Sequence, residues 1–310
     1  MHRYLISLFI LFLSIQFSWG ANCESGLKLL AQKESATYVD PLIDQFKEMP
    51  QEFHESIRPL VLKALNYVKD NGLIKANSSD LQQEANRIRK HILELAENAH
   101  HYENVELTNP DPKRPDTFAF VYKGKKYIFR PLLGSQESLS IVRKTLAAGA
   151  IARRLTWRNT TVADSWVGIV NGVPGAISTY IPGMTLYSRN PLSMLYYQLM
   201  TSARGRNRSA ILEFLFFNND VYLQNVKVRR TRAIIFDHDR AFYDGIPIGP
   251  NHGFAYLRLS GTYLPDKIPR KIKKELLNLT PEELEKEVGG FLSILELNAL
   301  IVRRQIILMK

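Results

Sequence analysis

The sequence predicts an α+β chain, and three observations predict it. Apolar residues recur at helical spacing in its first and last thirds; aromatic-rich, strand-like runs lie in the middle; and Gly-containing turns join those runs in pairs. The 310 residues are 45% hydrophobic and 23% charged, with 41 Lys+Arg against 30 Asp+Glu, a formal net charge of +11. That mixture excludes a low-complexity tail, a collagen-like chain and a multi-span membrane protein. A single cysteine, Cys23, excludes a disulfide framework and a multi-cysteine zinc site.

Residues 1–20 read as a cleaved secretory signal peptide. His2 and Arg3 give a basic start, and Leu5 to Ile15 is an apolar run too short to span a bilayer. Ser18 and Gly20 are the small residues before a cleavage that would leave Ala21 first. One unit of the charge, Arg3, then belongs to the leader. A membrane anchor is the alternative. Export would place the chain in a periplasm, outside the cell or in a secretory lumen.

Residues 21–105 read as a helical extension. Ile57, Leu60, Val61, Ala64, Leu65 and Val68 form one stripe, ending near Gly72. Leu81, Ala85, Ile88, Ile92 and Leu95 form a second, opened by the capping pair Ser79 and Gln82. His100 and His101 have nothing at metal-ligand spacing and read as surface.

The Pro-rich stretch 109–116 marks a boundary. After it, FAFVY and KYIFR flank Lys123-Gly124-Lys125 as a hairpin, and residues 138–155 return to a helix burying Ala147, Ala148, Ile151, Ala152 and Leu155. WVGIV and VPGAISTYI then flank Asn171-Gly172, the strongest hairpin signal in the chain.

Past Gly183 the pattern is mostly helical. Arg204, Gly205, Arg206 and Arg208 read as a mobile basic loop, with a site for an acidic substrate or phospholipid head group as the alternative, and Phe214, Phe216 and Phe217 as core. NVKV and AIIFD read as a strand pair around the turn Arg229–Arg232. Thr280, Pro281 and Glu283 cap a long C-terminal helix. Arg303 and Arg304 interrupt its apolar run, which makes it a buried closing helix and not a membrane span.

The chemistry-bearing segment is 218-NNDVYLQNVKVRRTRAIIFDHDRAF-242. Asp220 and Asn225 stand before one strand, and Asp237 ends the other. A hairpin can bring an Asn at one strand's start beside an Asp at the other's end. A carboxylate that orients a hydroxyl, with hard oxygen ligands for Mg²⁺, is what phosphoryl transfer requires.

The string Asn219-Asp220, Asn225, Asp237-His238-Asp239-Arg240-Ala241-Phe242 resembles the catalytic and metal-binding segments of atypical kinases: the phosphatidylinositol 3/4-kinase-like group, actin-fragmin kinase and Fam20-type secreted kinases. KYIFRPL resembles their Phe-Lys-Pro strand, and GAISTYIPGMTL the strand and hinge of their adenine pocket. The likeness covers about residues 117–245. It implies a two-lobed protein-kinase-like fold, with a small antiparallel-sheet lobe at 106–183 and a helical lobe at 184–310 behind the N-terminal extension.

It also implies Asp220 as catalytic carboxylate, Asn225 and Asp237 as ligands of Mg²⁺ or Mn²⁺, and a nucleotide held by Arg130, Glu137 and the hinge Tyr180-Ile181. The implied activity is ATP-dependent transfer to a hydroxyl of a protein, lipid head group or small molecule, with no specific nucleic acid and no transmembrane span in the mature chain. Four features depart from the family pattern. Arg130 stands where Lys is the rule, Glu137 is the nearest acid but sits early in the following helix, no Gly-rich loop precedes the first strand, and Val221 replaces the Arg that usually follows the catalytic Asp. A pseudokinase that binds without transferring phosphate, or a nucleotidyl transferase, are the alternatives. For Arg130 itself, an edge-strand surface position is the competing reading, and Asp239 competes with Asp237 as ligand.

Overall fold

The computed structural model describes residues 43, 57–71, 73–74, 80–109, 115–155, 157, 162–182, 184–185, 191–217, 225–229, 231–243 and 264–310. The proposed leader, Ser79, Asp220 and the Arg230 position all lie outside the described residues. The chain forms two compact units, Met1–Asp80 and Leu81–Lys310.

In the first unit, helix α1 (Arg58–Asp70) starts on a proline in its first turn, where a missing N–H costs nothing. Val61, Ala64, Leu65 and Val68 are fully buried, the stripe that the sequence spacing predicts.

The second unit opens with α2 (Leu81–Glu97), whose buried residues are Glu84, Ile88, Ile92 and Ala96. The expected stripe is therefore rotated: Leu81 is 64% exposed and Leu95 40%, while a glutamate takes a buried place. Glu84 accepts the N–H of Ile294 at 3.2 Å, and that contact draws α2 toward the last helix. Arg87 adds two bonds, to the carbonyls of Gly289 and Leu292. Polar anchors, and not apolar periodicity alone, set the rotation of α2.

A five-stranded sheet follows, in the order β1-β4-β5-β3-β2: β1 (His100–Tyr102), β2 (Phe118–Tyr122), β3 (Lys125–Pro131), β4 (Ser165–Val170) and β5 (Val173–Thr179). Both expected hairpins form. Lys123 and Gly124 have φ of 49° and 73°, Asn171 and Gly172 46° and 79°, the paired positive values of a two-residue turn that suits strand twist. Strand β1 corrects the all-helical reading of 21–105; it pairs parallel with β4, and Asn171 locks it by exchanging bonds with Val105. His100 and His101 are exposed on it, as expected. One face of the sheet buries Tyr102, Phe120, Phe129, Val170 and Ile177.

Helix α3 (Gln136–Arg154) packs on the sheet with Ser135 as N-cap. The approach is close: a Cβ on Gly149 would stand 2.4 Å from the Ser165 carbonyl oxygen. Ala147, Ala148, Ile151, Ala152 and Leu155 are buried, as their spacing requires.

The remainder is helical around a second, three-stranded sheet, β6-β7-β8: β6 (Met184–Thr185), β7 (Val226–Arg229) and β8 (Arg232–Ile235). Helices α4 (Pro191–Met200) and α5 (Ala203–Phe216) lie between β6 and β7 in sequence. The basic loop expected at Arg204–Arg208 is instead the first part of α5, capped by Ser202, whose side chain accepts the Gly205 N–H. The long C-terminal helix is likewise two elements after α6 (Arg270–Leu277): α7 (Pro281–Val288), capped by Thr280, and α8 (Ile294–Met309). Gly289 and Gly290 separate them, and Ser293 with Glu296 forms a full capping box for α8. Phe214, Phe216 and Phe217 are core, and Arg303 and Arg304 are buried within α8. No helix among the described residues is long and apolar enough to cross a membrane.

Candidate functional site

Strand β3 lies between β5 and β2, so Arg130 is interior and not an edge residue. Strand alternation sends Phe129 into the aromatic face and Arg130 to the opposite one, toward α3. There its Nη1 lies 3.5 Å from Thr145 Oγ1, and its Nη2 donates to Asp237 Oδ1 at 2.7 Å. Both side chains are almost fully enclosed, at 8% and 6% exposure. Arg130 therefore takes Asp237 as its ionic partner and not Glu137, which is exposed in the first turn of α3.

Asp237 reaches that position because β8 ends sharply. Its backbone adopts φ 69°, the left-handed region that Asp tolerates better than most residues. Across the hairpin, Val226 pairs with Ile235, and the next step outward has the Phe236 N–H on the Asn225 carbonyl at 3.1 Å. Asn225 is 5% exposed and Asp237 7%. The hairpin thus sets Asn225 and Asp237 at one open end, as their spacing suggests.

His238 follows Asp237 into the interior at 2% exposure, its ring edge-on to Phe216 at 5.6 Å. Burial pushes its pKa down to about 4; Asp237 opposes this and Arg130 adds to it. The imidazole is neutral at ordinary pH and pads the ion pair with a ring. Sequence reading quotes His238 without giving it a task, and misses Thr145; a polar residue one helical turn from the apolar stripe of α3 was the available signal.

Tyr180 and Ile181 directly follow β5. Ile181 packs with Ala163, Ile234 and Phe236. The Tyr180 N–H lies 3.4 Å from the Lys126 carbonyl, and Lys126 Nζ sits 4.6 Å above its ring. Asp239 and Arg240 continue the turn after His238. Asp220 and Val221 lie outside the described residues.

The cations on α3 have acidic or aromatic partners. Arg143 grips Glu296 through two bonds, at 2.5 and 2.8 Å, Arg153 pairs with Asp164 at 2.9 Å, and Arg154 with Glu283 at 3.1 Å. Lys144 lies 4.8 Å over the Tyr243 ring. These charges tie α3 to its neighbours.

Asn225 and Asp237 offer the hard oxygens that Mg²⁺ prefers, and Arg130 is a fixed cation for a phosphate. Among the described residues no cluster of three or more His, Cys, Asp or Glu is placed to hold a metal. A cation at Asn225 and Asp237 would need further ligands from phosphate, water or the segment that includes Asp220.

No protein-family model matches the chain, and no curated protein matches it. Among solved structures, it is similar to a Helicobacter pylori proinflammatory kinase, CtkA, at 9% identity and a TM-score of 0.38, over 66% of this chain and 92% of that one. A likeness of that size carries no argument about the site, whose reading rests on its own residues.

Proposed function

We propose that the protein is an exported phosphotransferase, dependent on ATP and on Mg²⁺ or Mn²⁺, that acts on a hydroxyl group. One observation carries the reading: a hairpin sets Asn225 across from Phe236, the residue before Asp237, and the interior strand β3 brings the buried cation Arg130 to meet that Asp237 carboxylate. A strand-borne cation and a hairpin-borne pair of oxygen donors is an arrangement suited to a metal–nucleotide.

In this reading Asn225 and Asp237 would hold the metal, which neutralises phosphate charge when bound. Arg130 would exchange its bond to Asp237 for one to a phosphate oxygen, which its planar fork can clamp. Asp220 would orient the acceptor hydroxyl. The backbone near Tyr180 and Ile181 would face the adenine.

A second reading is favoured by the same ion pair. A guanidinium 2.7 Å from Asp237, with both groups enclosed, competes with a metal for that carboxylate. A module that binds a partner without transferring phosphate keeps the pair closed.

Calorimetric titration of ATP with Mg²⁺ into the chain, repeated on Asp237→Asn, separates the readings. Binding that needs the metal and is lost in the variant supports the first; no ATP binding with either metal overturns it. Labelled ATP then distinguishes products: transfer of the γ-phosphate marks a kinase, transfer of the α-phosphate a nucleotidyl transferase. Mass spectrometry of secreted protein checks export, with Ala21 expected as the first residue.

A further inference from the structure

Helices α4 and α5 meet at a corner that carries exposed apolar side chains on α4 and exposed cationic ones on α5 and the β7–β8 turn. On α4, Leu195 is 50% exposed, Leu199 73% and Met200 46%. Leu195 and Leu199 are one turn apart and share a face, while Tyr197 on the other side is fully buried. The end of α4 is held in place: Thr201 donates its N–H to the Tyr197 carbonyl at 3.1 Å, and Arg206 donates to the carbonyls of Gln198 and Thr201. The leucines are thus presented outward by an anchored helix.

The cations come from two segments that the fold presses together. Ser202 donates its N–H to the Thr231 carbonyl at 2.9 Å, and a Cβ on Gly205 would stand 2.9 Å from that same oxygen. Only glycine lets α5 approach the hairpin turn so closely. This contact gathers Arg204 of α5 with Arg229 and Arg232, which face each other across the β7–β8 ladder. All three are exposed, and none has an acidic partner within 4.0 Å among the described residues. The field of Arg204 and Arg232 is felt at Arg208: burial is the main cause of its lowered pKa, and these two arginines lower it further against the pull of Glu275.

Each placement is unfavourable alone. Like charges directly opposite in a ladder repel, and a cation in the first turn of a helix opposes the helix dipole. The arginines of α3 have acidic partners; among the described residues these three have none. An anionic partner is what relieves them. Exposed leucines beside them narrow the partner, because a phosphate-rich surface with an apolar layer beneath satisfies both sets at once.

We propose that this corner docks on an anionic lipid bilayer, with Arg204, Arg229 and Arg232 on lipid phosphates and Leu195, Leu199 and Met200 entering the interface. The attachment lies on the membrane and does not cross it. It also sets the hairpin on end: Arg229 and Arg232 stand at its turn and Asn225 and Asp237 at its opposite end, about 13 Å away at the rise of an extended strand.

The test is co-sedimentation of the full chain with vesicles of phosphatidylcholine alone and with an equal part of phosphatidylglycerol. No nucleotide is present, so the result is separate from the phosphotransfer reading. The apolar run at 5–15 is common to every variant, so differences between variants report on the corner alone. Pelleting with the anionic vesicles is expected, weakened by salt, and reduced about tenfold or more in Arg204→Glu/Arg232→Glu. Leu195→Ser/Leu199→Ser, at positions too exposed to unfold the chain, is expected to lose the part that survives high salt. Equal pelleting with both vesicle types, no pelleting with the anionic ones, or indifference to both double variants overturns the proposal. So does binding of polyglutamate as tight as that of the vesicles and unchanged in the leucine variant, which assigns the corner to an acidic protein.

Discussion

Arg130 and Asp237, 107 residues apart in sequence, meet at 2.7 Å with both side chains almost fully enclosed. Deleting one partner strands the other's charge. Asp237→Asn, which keeps a residue suited to the left-handed backbone there, is expected to cost about 3–5 kcal/mol, whereas Arg130→Met/Asp237→Asn should recover most of that loss. Urea denaturation of the three proteins checks this. A double variant no more stable than the single one would mean that Asp237 is held chiefly by something other than Arg130.

The sequence exposes this site unevenly. Asn225 and Asp237 are legible because a strand pair with a short turn has one register that buries its apolar residues, and that register fixes both ends. The partner of Arg130 is not legible: pairing across 107 residues follows from how β3 and β8 pack, which no local pattern encodes. For the same reason the rotation of α2 escapes periodicity, since Glu84 and Arg87 bind backbone groups of a distant corner. The basic run at 204–208 reads as a loop because its charges mask the apolar half of α5, where Ile211, Leu212 and Phe214 are buried. The break before α8 was readable from Gly289-Gly290 and the Ser293–Glu296 capping box, and only the continuous apolar run beyond obscured it.

Glu296 carries a pH dependence. Burial raises its pKa, but the charge and bonds of Arg143, with smaller help from Lys144 and the Ser293 N–H, outweigh that and hold it below the ordinary 4.5. In the unfolded chain the carboxylate takes its proton first on acidification. Its contribution is therefore full above pH 4.5 and lost as pH falls through the lower folded value. Glu296→Gln should be less stable than the parent at pH 7, and the gap between them should close in acid. Chemical denaturation from neutral pH downward measures it; a gap that stays constant would show that the pair with Arg143 does not set this titration.

Two glycines should respond differently to an added methyl group. On Gly290 a Cβ would stand 2.2 Å from His91 Nε2, a side-chain atom; on Gly175 it would stand 2.3 Å from the Arg130 carbonyl oxygen and 2.9 Å from Pro131 Cα, both backbone. Each alanine substitution is expected to cost about 1–3 kcal/mol or more through overpacking. His91→Ala should recover part of the loss at Gly290, because it removes the ring in the way. No single side-chain truncation should recover Gly175→Ala, and the central strand pair β3–β5 should loosen around Arg130. Thermal melts of the single and double variants decide between these outcomes.

Arg303 is fully buried in the apolar helix α8 without disrupting it, because backbone carbonyls receive its fork. Its Nε donates to Leu215 at 2.8 Å and its Nη1 to Tyr243 at 2.7 Å, and its guanidinium lies 5.7 Å from the centre of the Phe217 ring. Leu215 is in the last turn of α5, whose carbonyls have no partner within the helix, so the arginine acts as a cap supplied from another helix. A lysine there keeps the charge but has no planar fork to reach two carbonyls at once. Arg303→Lys is therefore expected to lose about 2–3 kcal/mol, and Arg303→Met a similar amount, because each leaves a buried carbonyl unpaired. Hydrogen exchange gives the discriminating readout. Amides at the end of α5, around Phe216 and Phe217, should lose protection in both variants while those of α1, in the other compact unit, keep theirs. If protection falls uniformly instead, Arg303 supports the fold at large and not the joint between α8 and the end of α5.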